Sequence, residues 1–321
     1  MGCRMFKSFF LALVTMVCLA APVSAQPTDL SNSKIKLAED NGDGGYRPVK
    51  SKEYKGVRER LMKRKALEEF ARFLSPLRLP ATLWIYASEC DGGANASPYY
   101  SPAQHAINMC YQFVDAMEKV ADNVVKTAKS KPTLFPAGVG REEFITGSFI
   151  GVILHEAGHA VFDILDVPIF GREEDAADQM AAFIALQFDK DVARSLVKGI
   201  SYLWFAQSDP PTQSQSDVEK EAEQDATVRC FKDPFCAYSD EHGTAGQRMF
   251  NAVCIAYGGD PKNFKDFAAA GWLPRNRDCV AEYQKLRFAF SKTVYPFIDP
   301  ALMIKVQSIR WLRPNEMRKQ P

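Results

Sequence analysis

The sequence predicts an α+β domain that is rich in helices and carries a small sheet. Apolar residues recur at helical spacing in residues 114–128 and through the long apolar stretch 149–165. Two short segments, residues 82–86 and 107–111, instead have the composition or the alternation of side chains that is typical of strands. Prolines and glycines separate these segments. We therefore expect one domain from residue 55 to 321, arranged in two lobes around a cleft.

Residues 1–25 have the organisation of a secretory signal peptide. Arg4 and Lys7 form a basic start, residues 9–21 are an apolar core, and the small residues of 23–25 provide a cleavage site. A membrane anchor is the alternative, but the apolar run is shorter than the roughly 20 residues that span a bilayer. We therefore predict an exported protein, periplasmic or secreted, without stable membrane insertion.

The remaining chain is nearly neutral. Removing residues 1–25 takes away two of the 40 basic residues and none of the 39 acidic ones, which leaves 38 minus 39, a net charge of −1. This balance gives no reason to expect a nucleic acid or an anionic membrane as partner. Residues 26–54 are polar and show no apolar periodicity, so we expect a flexible leader there.

Six cysteines remain after residue 25, and an even number in an exported chain predicts up to three disulfides. The sequence alone leaves several connectivities open. We favour pairs of sequence neighbours: Cys90 with Cys110, Cys230 with Cys236, and Cys254 with Cys279. Cysteine zinc ligands are the competing interpretation, but no C-x-x-C spacing supports them.

The stretch His155-Glu156-Ala157-Gly158-His159 is the most informative part of the chain for function. On a helix, two histidines four residues apart lie on one face, so both imidazoles can bind one cation. Glu156 lies between them and can take a proton from a metal-bound water. Zinc suits such nitrogen ligands and lowers the pKa of a bound water to about 7. The pattern therefore predicts a zinc hydrolase with Glu156 as general base.

The flanks of this motif indicate a buried helix. Apolar residues dominate positions 149–154 before the motif and 160–165 after it. Such a helix would not bury two histidines and a glutamate without partners, because uncompensated burial of polar groups is costly. A metal is the simplest partner, and a metal-free structural cluster is the alternative.

A third ligand is expected on the next helix. Phe162 and Leu165 stand where the metzincin class has its glycine and its third histidine, so that class is excluded. Pro168 and Gly171 break the chain, and a second helix after them can bring Glu174 back to the histidines.

Glu173 is the rival of Glu174 as the third ligand. We favour Glu174 because only it is followed by an aspartate, Asp178, one turn further along the same face. Asp178 can accept the second ring N–H of a ligand histidine and so fix its tautomer. Asp163, one turn after His159, is expected on the helix surface or behind the ligands.

H-E-x-x-H followed by E-x-x-x-D on a second helix resembles the gluzincin peptidases. The run HEAGHAVFDILDVPIFGREEDAADQ is similar to a family of secreted bacterial metallopeptidases that is catalogued as a domain of unknown function. The similarity includes YYSPAQHAINMCYQF upstream and DEHGTAGQRMFNAVCIAYGGDP downstream, and so most of the chain after residue 25. It implies a zincin-like fold with zinc ligands His155, His159 and Glu174. It also implies Glu156 as base and Asp178 as the partner behind a ligand.

Three further segments are candidates for roles around the cleft. Residues 107–111 resemble the strand that borders the cleft in this class, where an edge strand can pair with an extended peptide. His242 or Arg248 could donate a hydrogen bond to the carbonyl oxygen on which negative charge builds. The structural alternative makes His242 a helix-capping partner and Arg248 a surface ion pair. The polar run 212–225 is typical of a surface insertion and could act as a lid.

The sequence therefore predicts a zinc-dependent peptidase that acts on peptides or proteins. The alternative from another class is a binding protein, stabilised by zinc or free of metal, that keeps the fold without turnover. A narrower rival is a zinc amidase that acts on a cell-wall peptide. The set of histidines and carboxylates argues against the binding protein, because a scaffold needs no Glu156 beside an open metal position.

Overall fold

Helices make up most of the described chain, and four short strands form one mixed sheet. The computed structural model describes residues 34–40, 42–93, 96–132, 135, 138–208 and 241–308. The strands are β1 (Ile35–Leu37), β2 (Leu83–Ser88), β3 (Tyr99–Ser101) and β4 (Ala106–Cys110). The helices are α1 (Lys55–Arg64), α2 (Ala66–Leu74), α3 (Tyr111–Ser130), α4 (Arg141–Ile164), α5 (Glu173–Ala185), α6 (Lys190–Ser208), α7 (Ala245–Gly259), α8 (Lys265–Ala269), α9 (Cys279–Thr293) and α10 (Pro300–Ser308). This helix-rich architecture with a small sheet agrees with the α+β prediction.

The sheet has the strand order β1, β2, β4, β3. The first three of these strands run parallel, and β3 pairs antiparallel with β4, with Tyr100 opposite Ile107. All five residues of β4 are buried, because the strand lies between two neighbours and under helices. The expectation that residues 107–111 border the cleft is therefore wrong in its detail. The strand at this edge of the sheet is β3, β1 forms the other edge, and Tyr111 already begins α3.

The leader predicted for residues 26–54 is wrong for its described part. Ile35–Leu37 pairs with β2, and Ile35 is only 4% exposed. Tyr46 is 1% exposed, and its hydroxyl donates a hydrogen bond of 2.6 Å to Glu68. A strand of three residues is too short to produce a recognisable alternation, so the sequence pattern does not predict it.

Helix α4 is the centre of the helical part, and most of its residues are buried. It packs closely on α6 where two glycines face each other: a Cβ built on Gly147 would lie 2.6 Å from the Cα of Gly199. Among the described helices, α4 alone is long and apolar enough to cross a membrane, but 72% of its most apolar window is buried inside the protein. Its apolar surface is therefore used for packing against neighbouring helices.

Two of the three predicted disulfides are confirmed. Cys90 pairs with Cys110 and so joins the loop after β2 to the end of β4. Cys254 pairs with Cys279 and so joins α7 to the first residue of α9. The third predicted pair, Cys230 with Cys236, lies outside the described residues, as does the predicted insertion 212–225.

Candidate metal centre

The two histidines of the H-E-x-x-H motif lie one turn apart on α4. Their ring centroids are 4.7 Å apart, with an angle of 82° between the planes. His155 is 3% exposed and Glu156 is 7% exposed, so both belong to the interior. This geometry follows from the spacing of four residues, which returns the side chains to the same helix face.

Helix α5 supplies the carboxylates, and a close approach of α4 and α5 makes this possible. A Cβ on Gly158 would lie 3.2 Å from the Cα of Ala177, so the glycine inside the motif lets the second helix come near. The chain turns between the helices at Gly171, whose φ of 123° favours glycine. Helix α5 then begins at Glu173 and points Glu174 at the histidines.

Nitrogen and oxygen atoms of three predicted ligands converge on one point. The Nε2 atoms of His155 and His159 lie 3.1 Å apart. Glu174 approaches both rings, with 2.9 Å from its Oε2 to Nε2 of His155 and 3.4 Å from its Oε1 to Nε2 of His159. The structure thus brings together the three side chains that the sequence singled out as ligands.

A carboxylate lies behind each histidine. Nδ1 of His155 is 2.9 Å from Oδ1 of Asp178, as predicted for that residue. Nδ1 of His159 is 2.7 Å from Oε1 of Glu173. Because a carboxylate only accepts, each Nδ1 carries a proton and donates it, which leaves Nε2 to face the centre. Glu173, the rival ligand of the sequence analysis, therefore lies on the far side of His159 from the convergence point.

Arg248 holds the carboxylate that lies behind His155. Both roles predicted for Arg248 from the sequence, a donor in the cleft and a surface ion pair, are wrong. Its Nε and Nη2 each donate a hydrogen bond of 2.7 Å to Asp178. Its guanidinium carbon lies 3.7 Å from the centroid of the Trp204 ring. Arg248 is 9% exposed, so it is neither a donor in the cleft nor part of a surface ion pair. A single arginine in a helical segment gave no indication that its partner lies 70 residues earlier.

His242 lies beside the ligands, just before α7. Its Nε2 is 3.0 Å from Oε2 of Glu174, and its ring centroid is 6.3 Å from that of His155. The capping role considered for His242 belongs to another residue, because Thr244 accepts the hydrogen bond from the backbone N–H of Gln247.

The electrostatics of this cluster explain what it can hold. Burial lowers the pKa of His155, but hydrogen bonds to Asp178 and Glu174 outweigh burial and raise the pKa to about 9. Burial raises the pKa of Glu174, and the three neighbouring histidines more than reverse this, so that its pKa is well below the usual range. The raised pKa of His155 means that protons compete with a cation for this position.

A divalent cation fits the same positions. Oε2 of Glu174 is buried, and Nε2 of His155 and Nε2 of His242 lie 2.9 Å and 3.0 Å from it. His155, Glu174 and His242 offer ligand atoms that all lie within 4.8 Å of one another. Lone pairs that converge in this way repel one another unless protons or a metal ion lie between them.

Glu156 lies in the cleft wall between the histidines. Burial raises the pKa of its carboxyl, against the opposing effects of His155 and His159 and of a hydrogen bond from the backbone N–H of Tyr100. Tyr100 is the central residue of the edge strand β3. The strand and the proposed base are therefore in direct contact.

The cleft above these residues has a volume of about 570 Å³. The edge strand and the flanking segment contribute Pro98, Tyr99, Tyr100 and Pro102 to its wall. Asp163, expected on the helix surface or behind the ligands, lines this cleft, and its Oδ2 accepts a hydrogen bond of 2.6 Å from the Tyr100 hydroxyl. The candidate ligands thus lie at the floor of a cleft large enough for several residues of a peptide.

Comparisons with known proteins agree with this geometry. The model of family DUF4344, which is described as "Putative metallopeptidase", matches residues 46–293. The match includes every residue of the cluster and both confirmed disulfides. No curated protein and no solved structure shows a significant similarity to the chain.

Proposed function

The chain belongs to the metallopeptidase family DUF4344, and we propose that it is an exported zinc peptidase of gluzincin type with a zincin-like fold. The observation that carries the proposal is the convergence of His155, His159 and Glu174 beside the buried carboxylate of Glu156. Family membership implies a peptide substrate. The organisation of residues 1–25 and the two disulfides support export.

His155, His159 and Glu174 would hold the metal. Two neutral imidazoles and one carboxylate are a ligand set that zinc accepts in hydrolases, and three protein ligands leave a fourth position open. When bound, zinc makes a water molecule more acidic and polarises the carbonyl group of the substrate. Asp178 and Glu173 keep each ring in the tautomer that presents Nε2 to the metal.

Glu156 moves the proton. Its carboxyl is buried next to the ligands, and burial raises its pKa toward the range in which a general base can also act as an acid. It can therefore accept a proton from the attacking water and deliver it to the nitrogen of the leaving amine. The backbone N–H of Tyr100 orients the carboxylate toward the cleft.

His242 is proposed as the donor to the carbonyl oxygen of the scissile bond. Its side chain is 40% exposed at the cleft and reaches the ligand Glu174 with Nε2. Negative charge grows on the oxygen during attack, and a positioned donor there contributes about 3 to 4 kcal/mol to the rate. His242→Phe should therefore lower kcat by about 100-fold or more while zinc stays bound. Loss of stoichiometric zinc in this variant would instead make His242 a ligand.

The edge strand β3 is proposed to bind the substrate backbone. It pairs with β4 on one side only, and Tyr99 and Tyr100 line the cleft on the other. An extended peptide could add to this edge by main-chain hydrogen bonds, with its scissile bond over the metal.

Digestion of a mixed peptide library by zinc-loaded protein that lacks residues 1–25 tests the function. We expect cleavage products that Glu156→Gln protein does not form, while this variant still binds zinc. An intact library after long incubation with the zinc-loaded protein would contradict the proposal. Equal turnover by wild type and the variant would contradict the role of Glu156.

A further inference from the structure

The cleft contains more carboxylates than the proposed reaction requires. Five carboxylates line it, and among its described lining residues there is no lysine or arginine. Glu156 and Glu174 belong to the proposed chemistry, and Glu173 holds His159. With a divalent cation bound and the histidines neutral, 2 minus 5 leaves a net charge of −3. A substrate that brings positive charge into the cleft is therefore favoured.

Asp163 is the carboxylate best placed to meet that charge. It follows His159 by one turn of α4, so it lies about 6 Å further along the helix axis on the same face. Its side chain is 38% exposed in the cleft wall, where Oδ2 accepts the hydrogen bond from the Tyr100 hydroxyl. Nε2 of His105 lies 3.8 Å from the same oxygen, and the contacts of the described residues leave Oδ1 without a hydrogen bond.

The surroundings of Asp163 suit a long basic side chain. Phe162, Val167 and Ile169 line the cleft at the end of α4 and in the turn after it. Lysine and arginine can lay their aliphatic stems along such apolar surface while the charged group reaches a carboxylate.

We propose that Asp163 is a specificity residue that binds the ammonium or guanidinium group of a lysine or arginine next to the scissile bond. The inference rests on the proposed peptidase function and adds the class of substrate to it. Acidic peptides are expected to be poor substrates because their charge has the same sign as that of the cleft.

Matched peptides test the proposal. One sequence is made with lysine, norleucine or glutamate on either side of the scissile bond, so that norleucine keeps the stem of lysine without its charge. We expect wild-type kcat/KM to fall from lysine to norleucine to glutamate. Asp163→Asn should lower the ratio of the lysine to the norleucine value by about fivefold.

Two controls separate specificity from a structural role. Asparagine at position 163 can still accept the hydrogen bond from the Tyr100 hydroxyl. If the only role of Asp163 were to hold the strand, Asp163→Asn would therefore keep the wild-type ratio of the lysine to the norleucine value. Asp166→Asn removes the same charge from an exposed position outside the cleft lining and should keep the wild-type ratio. An equal ratio in Asp163→Asn and wild type, or a ratio near one in wild type, would overturn the inference.

Binding distinguishes this inference from the peptidase function. Dissociation constants of the three peptides for zinc-loaded Glu156→Gln protein can be measured by fluorescence polarisation. One outcome is that the lysine peptide binds best, that Asp163→Asn weakens this preference, and that wild type cleaves none of the peptides. This result would support the role of Asp163 and contradict the proposed peptidase function. Cleavage of all three peptides without any charge preference would support the proposed peptidase function and refute the role of Asp163.

Discussion

Arg248 donates two hydrogen bonds of 2.7 Å to Asp178, which lies 2.9 Å from Nδ1 of the predicted zinc ligand His155. A residue of α7 thereby holds a residue of α5, which holds a residue of α4. The three helices are joined behind the metal centre by one buried chain of polar contacts. The stability of the fold and the geometry of the site therefore depend on the same residues.

Arg248→Met should destabilise the protein by about 3 kcal/mol or more, because it leaves the buried carboxylate of Asp178 without its charged partner. The free energy of unfolding from urea denaturation of metal-free protein measures this effect. Arg60→Met provides the control, since the ion pair of Arg60 with Glu118 is half exposed and should contribute about 1 kcal/mol or less. A similar decrease in the free energy of unfolding in the two variants would show that Arg248 stabilises the fold no more than an exposed ion pair does.

Glu173→Gln should weaken zinc binding by about tenfold to 100-fold without changing the stoichiometry. The reason is that Glu173 orients His159 from behind and its carboxylate makes the ring more basic. Competition with a chromophoric chelator gives the affinity. If the variant held no zinc at saturation, Glu173 would be a ligand, and the assignment of the two glutamates would have to be reversed.

Zinc affinity should rise with pH up to about 9. In the metal-free protein the pKa of His155 is raised above its ordinary value, mainly by Asp178 and Glu174 acting against burial. Below that pKa the ring must lose a proton before it binds zinc, so protons compete with the metal and binding releases them. Calorimetry of zinc binding at pH 7 in buffers of different ionisation enthalpy counts these protons. Release of no protons at this pH would contradict the arrangement.

The motif spacing predicted that His155 and His159 lie side by side, because helix geometry alone brings positions four apart to one face. The turn at Pro168 and Gly171 predicted that Glu174 and Asp178 also lie near the histidines. The reason is that two helices joined by a short break pack side by side. Their roles at a metal stay predictions until a metal is measured. The geometry adds that the proposed ligands lie close together.

Contacts between residues that are far apart in the sequence could not be predicted from the sequence. Arg248 meets Asp178 across 70 residues, and no periodicity encodes that contact. The strands β1 and β3 have three residues each, which is too short for an alternation of side chains to indicate a strand. The sequence pattern therefore predicts β4, and not β3, beside the cleft. Asp163 was expected on the helix surface or behind the ligands, and it is exposed at the cleft. Its hydrogen bond with Tyr100 could not be predicted, because Tyr100 belongs to the short strand β3.

The measurement that tests the central claim most directly is the zinc content of purified protein that lacks residues 1–25, compared with its Glu174→Gln variant. We predict one tightly bound zinc per wild-type chain, and a variant that stays folded but releases its zinc to a chelator far more readily, since it loses one of three ligands. Folded wild-type protein that binds no zinc even when zinc is supplied would contradict the account.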